Sequence, residues 1–111
     1  MTWDKHPTTI DRSQRLFERG LLRLDQTKGL AVEISRGMTV LTNEGQEAGK
    51  VAAVVVDTAS QQVSHLLLRH LSLSPKYRLV PVNLIEQINQ ETIVLRVGKQ
   101  IVDSLPVRQA S

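Results

Sequence analysis

Six consecutive aliphatic residues, Val51-Ala52-Ala53-Val54-Val55-Val56, follow Gly49-Lys50 and stop at Asp57. No other stretch constrains the chain as much. The branched Cβ of valine favours extended backbone. The run is far shorter than the ~20 apolar residues that cross a membrane as a helix. It has no polar side to turn toward water, which predicts a central strand covered on both faces. Its flanks complete a hairpin. Asp57-Thr58-Ala59-Ser60-Gln61-Gln62 reads as a turn in which the Asp57 carboxylate caps its own backbone. Val63-Ser64-His65-Leu66-Leu67-Leu68-Arg69 then returns as the antiparallel partner. On the other side, Thr42-Asn43-Glu44-Gly45-Gln46 reads as a second hairpin turn, with Gly45 at its left-handed position. Gly49 marks a bulge or a close approach of backbones.

The neighbouring segments keep the same short period. Leu30, Val32 and Ile34 alternate with smaller or polar residues until Arg36-Gly37 breaks the strand, and Met38 to Leu41 resumes it. Tyr77 to Val82 is extended. Pro81 cannot donate to a ladder, so it marks a strand end, an edge or a bulge. Leu84, Ile85 and Ile88 suit a short helical turn or a bent strand, and Thr92 to Val97 is a last strand with Ile93, Leu95 and Val97 on one face. Lys99 to Leu105 fits one or two helical turns, stopped by Pro106 ahead of a polar tail. About six short strands with turn signals every ~8–12 residues predict a mainly β fold, a small antiparallel barrel rather than a βαβ unit.

The N-terminal part reads differently. Met1 to Pro7 is polar and without periodicity. From Thr9 to Leu24 the spacing predicts a helix, with Ile10, Phe17, Leu21 and Leu24 on one side and Arg12, Arg15, Arg19 and Arg23 opposite. Gly20 inside that pattern costs about 1 kcal/mol relative to alanine. The competing reading ends the helix near Arg19 and extends Leu21 to Leu24. Asp25 to Gly29 is a linker-like turn. The expected organisation is an arm over 1–28, a barrel over 29–98 and a tail over 99–111.

A chain of 111 residues is the size of one domain. It has no cysteine, which excludes disulfides and thiolate metal sites and fits a reducing cytoplasm. Its beginning lacks the apolar core of a signal peptide. Both observations lead us to expect a soluble, cytoplasmic protein. The formal charge of +3 is a small basic excess, and Trp3, Phe17 and Tyr77 are too few and too scattered for a nucleic-acid stacking platform.

Catalytic chemistry finds little support. His6, His65 and His70 have no zinc-ligand spacing. Ser60 or Ser64 can be written beside His65 and Asp57 as a triad, but Asp57 is better used by its turn. Gly45 and Gly49 lack the Gly-Lys-Ser/Thr ending and the following helix of a phosphate-binding loop. No cofactor and no metal are expected.

Taken in order, Gly37-Met38-Thr39-Val40, Glu44 to Val51, Val56-Asp57, Val63 with Leu66 to Leu68, Leu79-Val80-Pro81-Val82 with Leu84-Ile85, and Ile93 to Leu95 resemble a PRC-barrel domain over about residues 30–97. The resemblance implies a small, strongly bent barrel whose motif positions here are Gly37, Gly45, Gly49, Asp57 and Pro81. The family includes the cytoplasmic part of the photosynthetic reaction-centre H subunit, the C-terminal domain of ribosome maturation factors and many free-standing bacterial and other microbial proteins. Its members are binding or assembly modules rather than enzymes, and no catalytic residue carries over. About thirty residues ahead of the barrel are too few for the maturation factors' extra domain, and no membrane helix is present, so a free-standing member is expected.

Two functions follow as expectations. The first is a non-enzymatic protein-interaction or assembly module that self-associates as a homodimer or higher homo-oligomer, through a surface drawn from Arg12, Arg15, Phe17, Arg19, Leu21, Arg23, Lys76, Tyr77 and Arg78. The alternative is an RNA- or ribosome-associated factor using the basic arm, or a peripheral membrane or photosynthetic-complex subunit. The bland reading of the arginine stripe, a solvated helix face, stands beside both.

Overall fold

The apolar run forms the spine of the molecule. In this computed structural model, which describes residues 14–23, 31–69 and 76–109, it lies in an eleven-residue strand, β5 (Glu47–Asp57). The strands before it are β1 (Gln14–Phe17), β2 (Arg19–Arg23), β3 (Ala31–Ser35) and β4 (Thr39–Leu41). After it come β6 (Gln62–Arg69), β7 (Lys76–Pro81), a 3-10 turn at Val82–Leu84, β8 (Ile85–Ile88), β9 (Thr92–Leu95), helix α1 (Lys99–Asp103) and β10 (Val107–Gln109).

The main sheet runs in the order β10-β7-β6-β5-β4-β9-β8, with β1 paired to β5 beside that path, and β2-β3 form a second sheet. Strand β5 carries β6 on one edge. Its other edge is shared: β4 pairs along its first residues and β1 along its last, Gln14 opposite Asp57 and Phe17 opposite Val54. Both faces of β5 are covered, as its composition predicts. Val51 and Val54 join the main core with Ile34, Leu66, Val80 and Ile93, while Val55 joins a second cluster with Leu67 and Leu79. The α1 residue Val102 is buried in the main core.

The turns follow their residues. Gly45 has φ 83° and Gly37 φ 96°. Thr42, almost fully buried, accepts hydrogen bonds at Oγ1 from the Glu44 and Gln46 amides (3.3 and 3.2 Å) and so satisfies the turn from inside. Asp57 Oδ1 accepts from the Ala59 amide at 2.9 Å. Strand β7 ends at Pro81, and the segment from Val82 to Ile88 is both a helical turn and a strand.

Several expectations need correction. The fold is mainly β with one short helix, but it has more strands than six, and among the described residues the sheets do not close into a barrel. It is not wholly antiparallel: β4 and β9 run parallel, Thr39 opposite Thr92. Within the expected C-terminal tail, Val107–Gln109 form a strand. β10 pairs antiparallel with β7, Val107 opposite Arg78, and Leu79 donates to the Pro106 carbonyl at 3.0 Å. The helix expected over Thr9 to Leu24 is absent from its described part, 14–23, which forms β1 and β2 instead. Non-local pairing with β5 and β3 outweighs a helical pattern that Gly20 already weakens. The competing reading fares no better in its helical part, since 14–19 holds no helix; only its extended part is observed, and over Leu21 to Arg23. Thr9 to Ser13, Leu24, the Asp25 to Gly29 turn, His6, His70 and the Leu71 to Pro75 loop lie outside the described residues.

Candidate functional site

The strand arm is built around a crossing at Glu18. Leu16 stands opposite Val55 and packs with the second apolar cluster, on one side of the main sheet. Two strand positions beyond Glu18, Gly20 faces the main core on the other side, and Leu22 is buried there. A Cβ at Gly20 would lie 2.6 Å from Val63 Cγ2 and 3.1 Å from Val54 Cγ2. The glycine therefore lets β2 lie directly on β5 and β6. Glu18 is held where the chain crosses: its carbonyl accepts from the Arg36 amide at 2.7 Å, and its carboxylate stands 3.7 Å from the Arg36 guanidinium.

This crossing reverses the expected sidedness of the arm. Arg15, Phe17, Arg19 and Leu21 are exposed, while Gln14, Leu16, Gly20 and Leu22 are covered. A helix would put Phe17 and Leu21 on its packed side; here they keep 48% and 56% of their surface open to solvent. Large apolar side chains this open alternate along the arm with arginines, so its exposed positions are not purely polar. Glu33 lies directly across from Leu21 on β3 and is also exposed.

The remaining surface residues are dispersed. Arg12 lies outside the described residues, and of Arg23 and Lys76 only the backbone places in β2 and β7 are described. Arg78 has a structural role, because its Nη1 donates to the Leu105 carbonyl at 2.9 Å. That contact holds the chain entering β10 and removes Arg78 from any cluster with the arm. Tyr77 is half-buried in the second apolar cluster.

That cluster borders a cleft of about 300 Å³. Leu16 and Phe17 form one wall and Tyr77 the other, with Ala52, Ala53 and Leu67 between them and the Glu18–Arg36 pair at the rim. The register shift between Val51 and Ala53 lets two successive alanines face the same cleft. A second depression, broader and more polar, lies between β3 and the β8–β9 turn; Val32, Glu33, Ile88 and Glu91 are among its lining residues. Neither hollow is legible in the sequence. The only local signals are Gly20, which a helix does not need, and the paired small residues Ala52-Ala53 within a valine run.

The triad written from sequence is half assembled. His65 Nδ1 lies 3.0 Å from Ser64 Oγ, which donates to the Val55 carbonyl at 3.4 Å and accepts from Gln14 Nε2 at 3.3 Å. Ser64 is itself the bulged residue of β6, left between His65 opposite Val55 and Val63 opposite Val56. Asp57 does not join them, because its carboxylate serves the turn. The cluster instead ties β1 to β6 across β5. Burial pushes the His65 imidazole below its usual value of 6.5. The neutral ring is favoured in the fold, so below that value the unfolded chain binds more protons than the folded one. Stability is therefore expected to fall as pH drops through about 6.5, and to level off below the lowered folded value. Urea unfolding between about pH 7.5 and pH 5 should show this loss, and His65→Gln should reduce it; an unchanged pH profile in the variant would assign the loss elsewhere.

Among the described residues no three histidine, aspartate or glutamate side chains stand close enough to hold a metal ion, and no helix is long and apolar enough to cross a membrane. A family model described as the PRC-barrel domain matches residues 35–102, more than half of the chain. No curated protein matches it at a significant level.

Proposed function

Because the chain belongs to the PRC-barrel family, we propose that it is a non-enzymatic interaction and assembly module that pairs with a second copy of itself through the open face of β1 and β2. The observation that carries this reading is the exposure of Phe17 and Leu21 on one strand arm. Exposed aromatic and aliphatic side chains gathered together mark interaction surfaces on soluble proteins. The charges around them suit a self-complementary contact. Arg15 and Arg19 lie on the arm, and Glu33 lies across from Leu21. In a two-fold pairing, the basic part of one copy can meet the acidic part of the other. The cytoplasm is the compartment this reading assumes.

Light scattering at micromolar concentration tests it. The expected mass is that of a dimer or larger assembly, and the double variant Phe17→Ser, Leu21→Ser should lower it to a monomer with little change in stability, since both side chains are already half open. A monomeric wild-type chain would sink the self-association. An RNA-binding function draws less support, because Arg78 is committed to the Leu105 carbonyl.

A further inference from the structure

We infer that the open edge of β3 takes up an extended peptide segment bearing basic side chains, which adds a strand beside it. The main sheet ends at β8 and the second sheet ends at β3, and each of these strands has a single ladder partner among the described residues. In an antiparallel pair, alternate residues turn their N–H and C=O away from the neighbouring strand. Over 31–34 those outward groups of β3 have no backbone partner among the described residues. Unpaired edges are templates for another chain, and proteins blunt them with proline, lysine or a bulge. β3 reads Ala31-Val32-Glu33-Ile34-Ser35 and contains none of these, and its register with β2 is unbroken. The broad depression alongside leaves room for the added strand. Its volume is about 770 Å³, against about 300 Å³ for the cleft beside Tyr77. Val32 and Glu33 line it from β3, and Ile88 and Glu91 from the far side.

The charges choose the occupant. Glu33 and Glu91 are both exposed, and neither carboxylate is in an ion pair or hydrogen bond among the described residues. They stand on a chain whose formal charge is +3, so this acidic spot runs against the sign of the molecule. A lysine or arginine placed opposite Glu33 makes a favourable cross-strand pair, whereas a carboxylate there is destabilising. The same rule disfavours the β3 of a second copy. Two such edges paired antiparallel about their centre would set Glu33 directly across from Glu33. Side chains of a strand alternate between its faces. A basic residue that meets Glu33 therefore has neighbours on the face of Val32, which is half-buried, and apolar residues suit that face. The occupant is a short extended segment in which basic and apolar residues alternate. It holds the edge by backbone hydrogen bonds and is selected by its side chains. This goes beyond pairing through β1 and β2 and does not require it.

The probe is the acetylated, amidated peptide Lys-Val-Lys-Val-Lys, with Glu-Val-Glu-Val-Glu as its counterpart. Each is titrated into the full chain and followed by amide NMR shifts and hydrogen exchange. The basic peptide should shift the β3 amides and slow the exchange of those that face away from β2; the acidic peptide should do neither. N-methylating the set of alternate peptide amides that faces β3 should weaken binding by about tenfold or more, because it removes ladder hydrogen bonds. Glu33→Lys combined with Glu91→Lys should reverse the preference, with the basic peptide bound about tenfold more weakly. Should that double variant fail to fold, the N-methyl series on the wild-type chain decides. Binding should persist in the Phe17→Ser, Leu21→Ser chain, whatever its oligomeric state. The inference is overturned if neither peptide binds, if both bind alike, or if N-methylation of either set changes nothing. Binding that disappears in the Phe17→Ser, Leu21→Ser chain belongs to the β1–β2 face and overturns it as well.

Discussion

Gly49→Ala is expected to cost about 3 kcal/mol or more, a large share of the ~5–15 kcal/mol that stabilises a domain. Two effects coincide at this position. The backbone has φ 150°, where a side chain is strained. A Cβ would also collide with the Arg69 carbonyl and reach 3.0 Å from Leu68 Cδ1. The carbonyl belongs to a paired strand and cannot swing aside as a flexible side chain would. Gly45 separates the two effects, since its φ is 83° but nothing lies within 4 Å of an added Cβ. Gly45→Ala should therefore cost only the conformational part, about 1–2 kcal/mol. Urea or guanidinium unfolding of both variants measures the difference. Equal losses would show that β5 and β6 can separate at Gly49 without penalty.

The second large effect is expected at Gly20. Gly20→Val should destabilise by about 1–3 kcal/mol through overpacking. The added methyls would enter the space held by Val63, Val54 and Val56. The outcome also distinguishes two structures of the arm. On an exposed helix, the same change removes a flexible residue and is close to neutral or mildly stabilising. On a strand lying on β5 and β6, it forces β2 off the core. A companion Val63→Ala change should recover part of the loss, because it vacates the 2.6 Å contact. A neutral Gly20→Val would remove the basis for the packed arm.

What is legible in the sequence is what a short window holds. The valines of β5 declare two covered faces because no polar residue interrupts them. Gly45, Asp57 and Pro81 declare a turn or a strand end by the backbone each permits. The arm misleads because Ile10, Phe17, Leu21 and Leu24 satisfy a helical period, while Leu16 and Leu22, which the structure covers, fall outside it. The deciding interaction is pairing with residues some forty positions away, Leu16 with Val55 among them. Gly20 carries the hint, since a glycine is hard to justify in a helix and easy to justify where backbones crowd. The cleft is illegible for the same reason. Leu16, Arg36, Ala53, Leu67 and Tyr77 come from five separate segments, and no periodicity links them. The parallel pairing of β4 with β9 depends on the path of four intervening strands, which no local pattern encodes.

That parallel pairing has a kinetic consequence. Thr39 is joined to Thr92, so one of the first strands of the family-matched region waits for one of the last. Closing so long a loop adds only ~0.6 kcal/mol for each doubling of its length, and the burden falls on rate rather than on stability. During synthesis the β5–β6–β7 meander can assemble while β4 still has one empty edge. Until residues 92–94 leave the ribosome, that edge is open to the wrong strand, and a neighbouring copy at high local concentration is the nearest candidate. The topology thus carries a brief interval in which the chain can pair incorrectly.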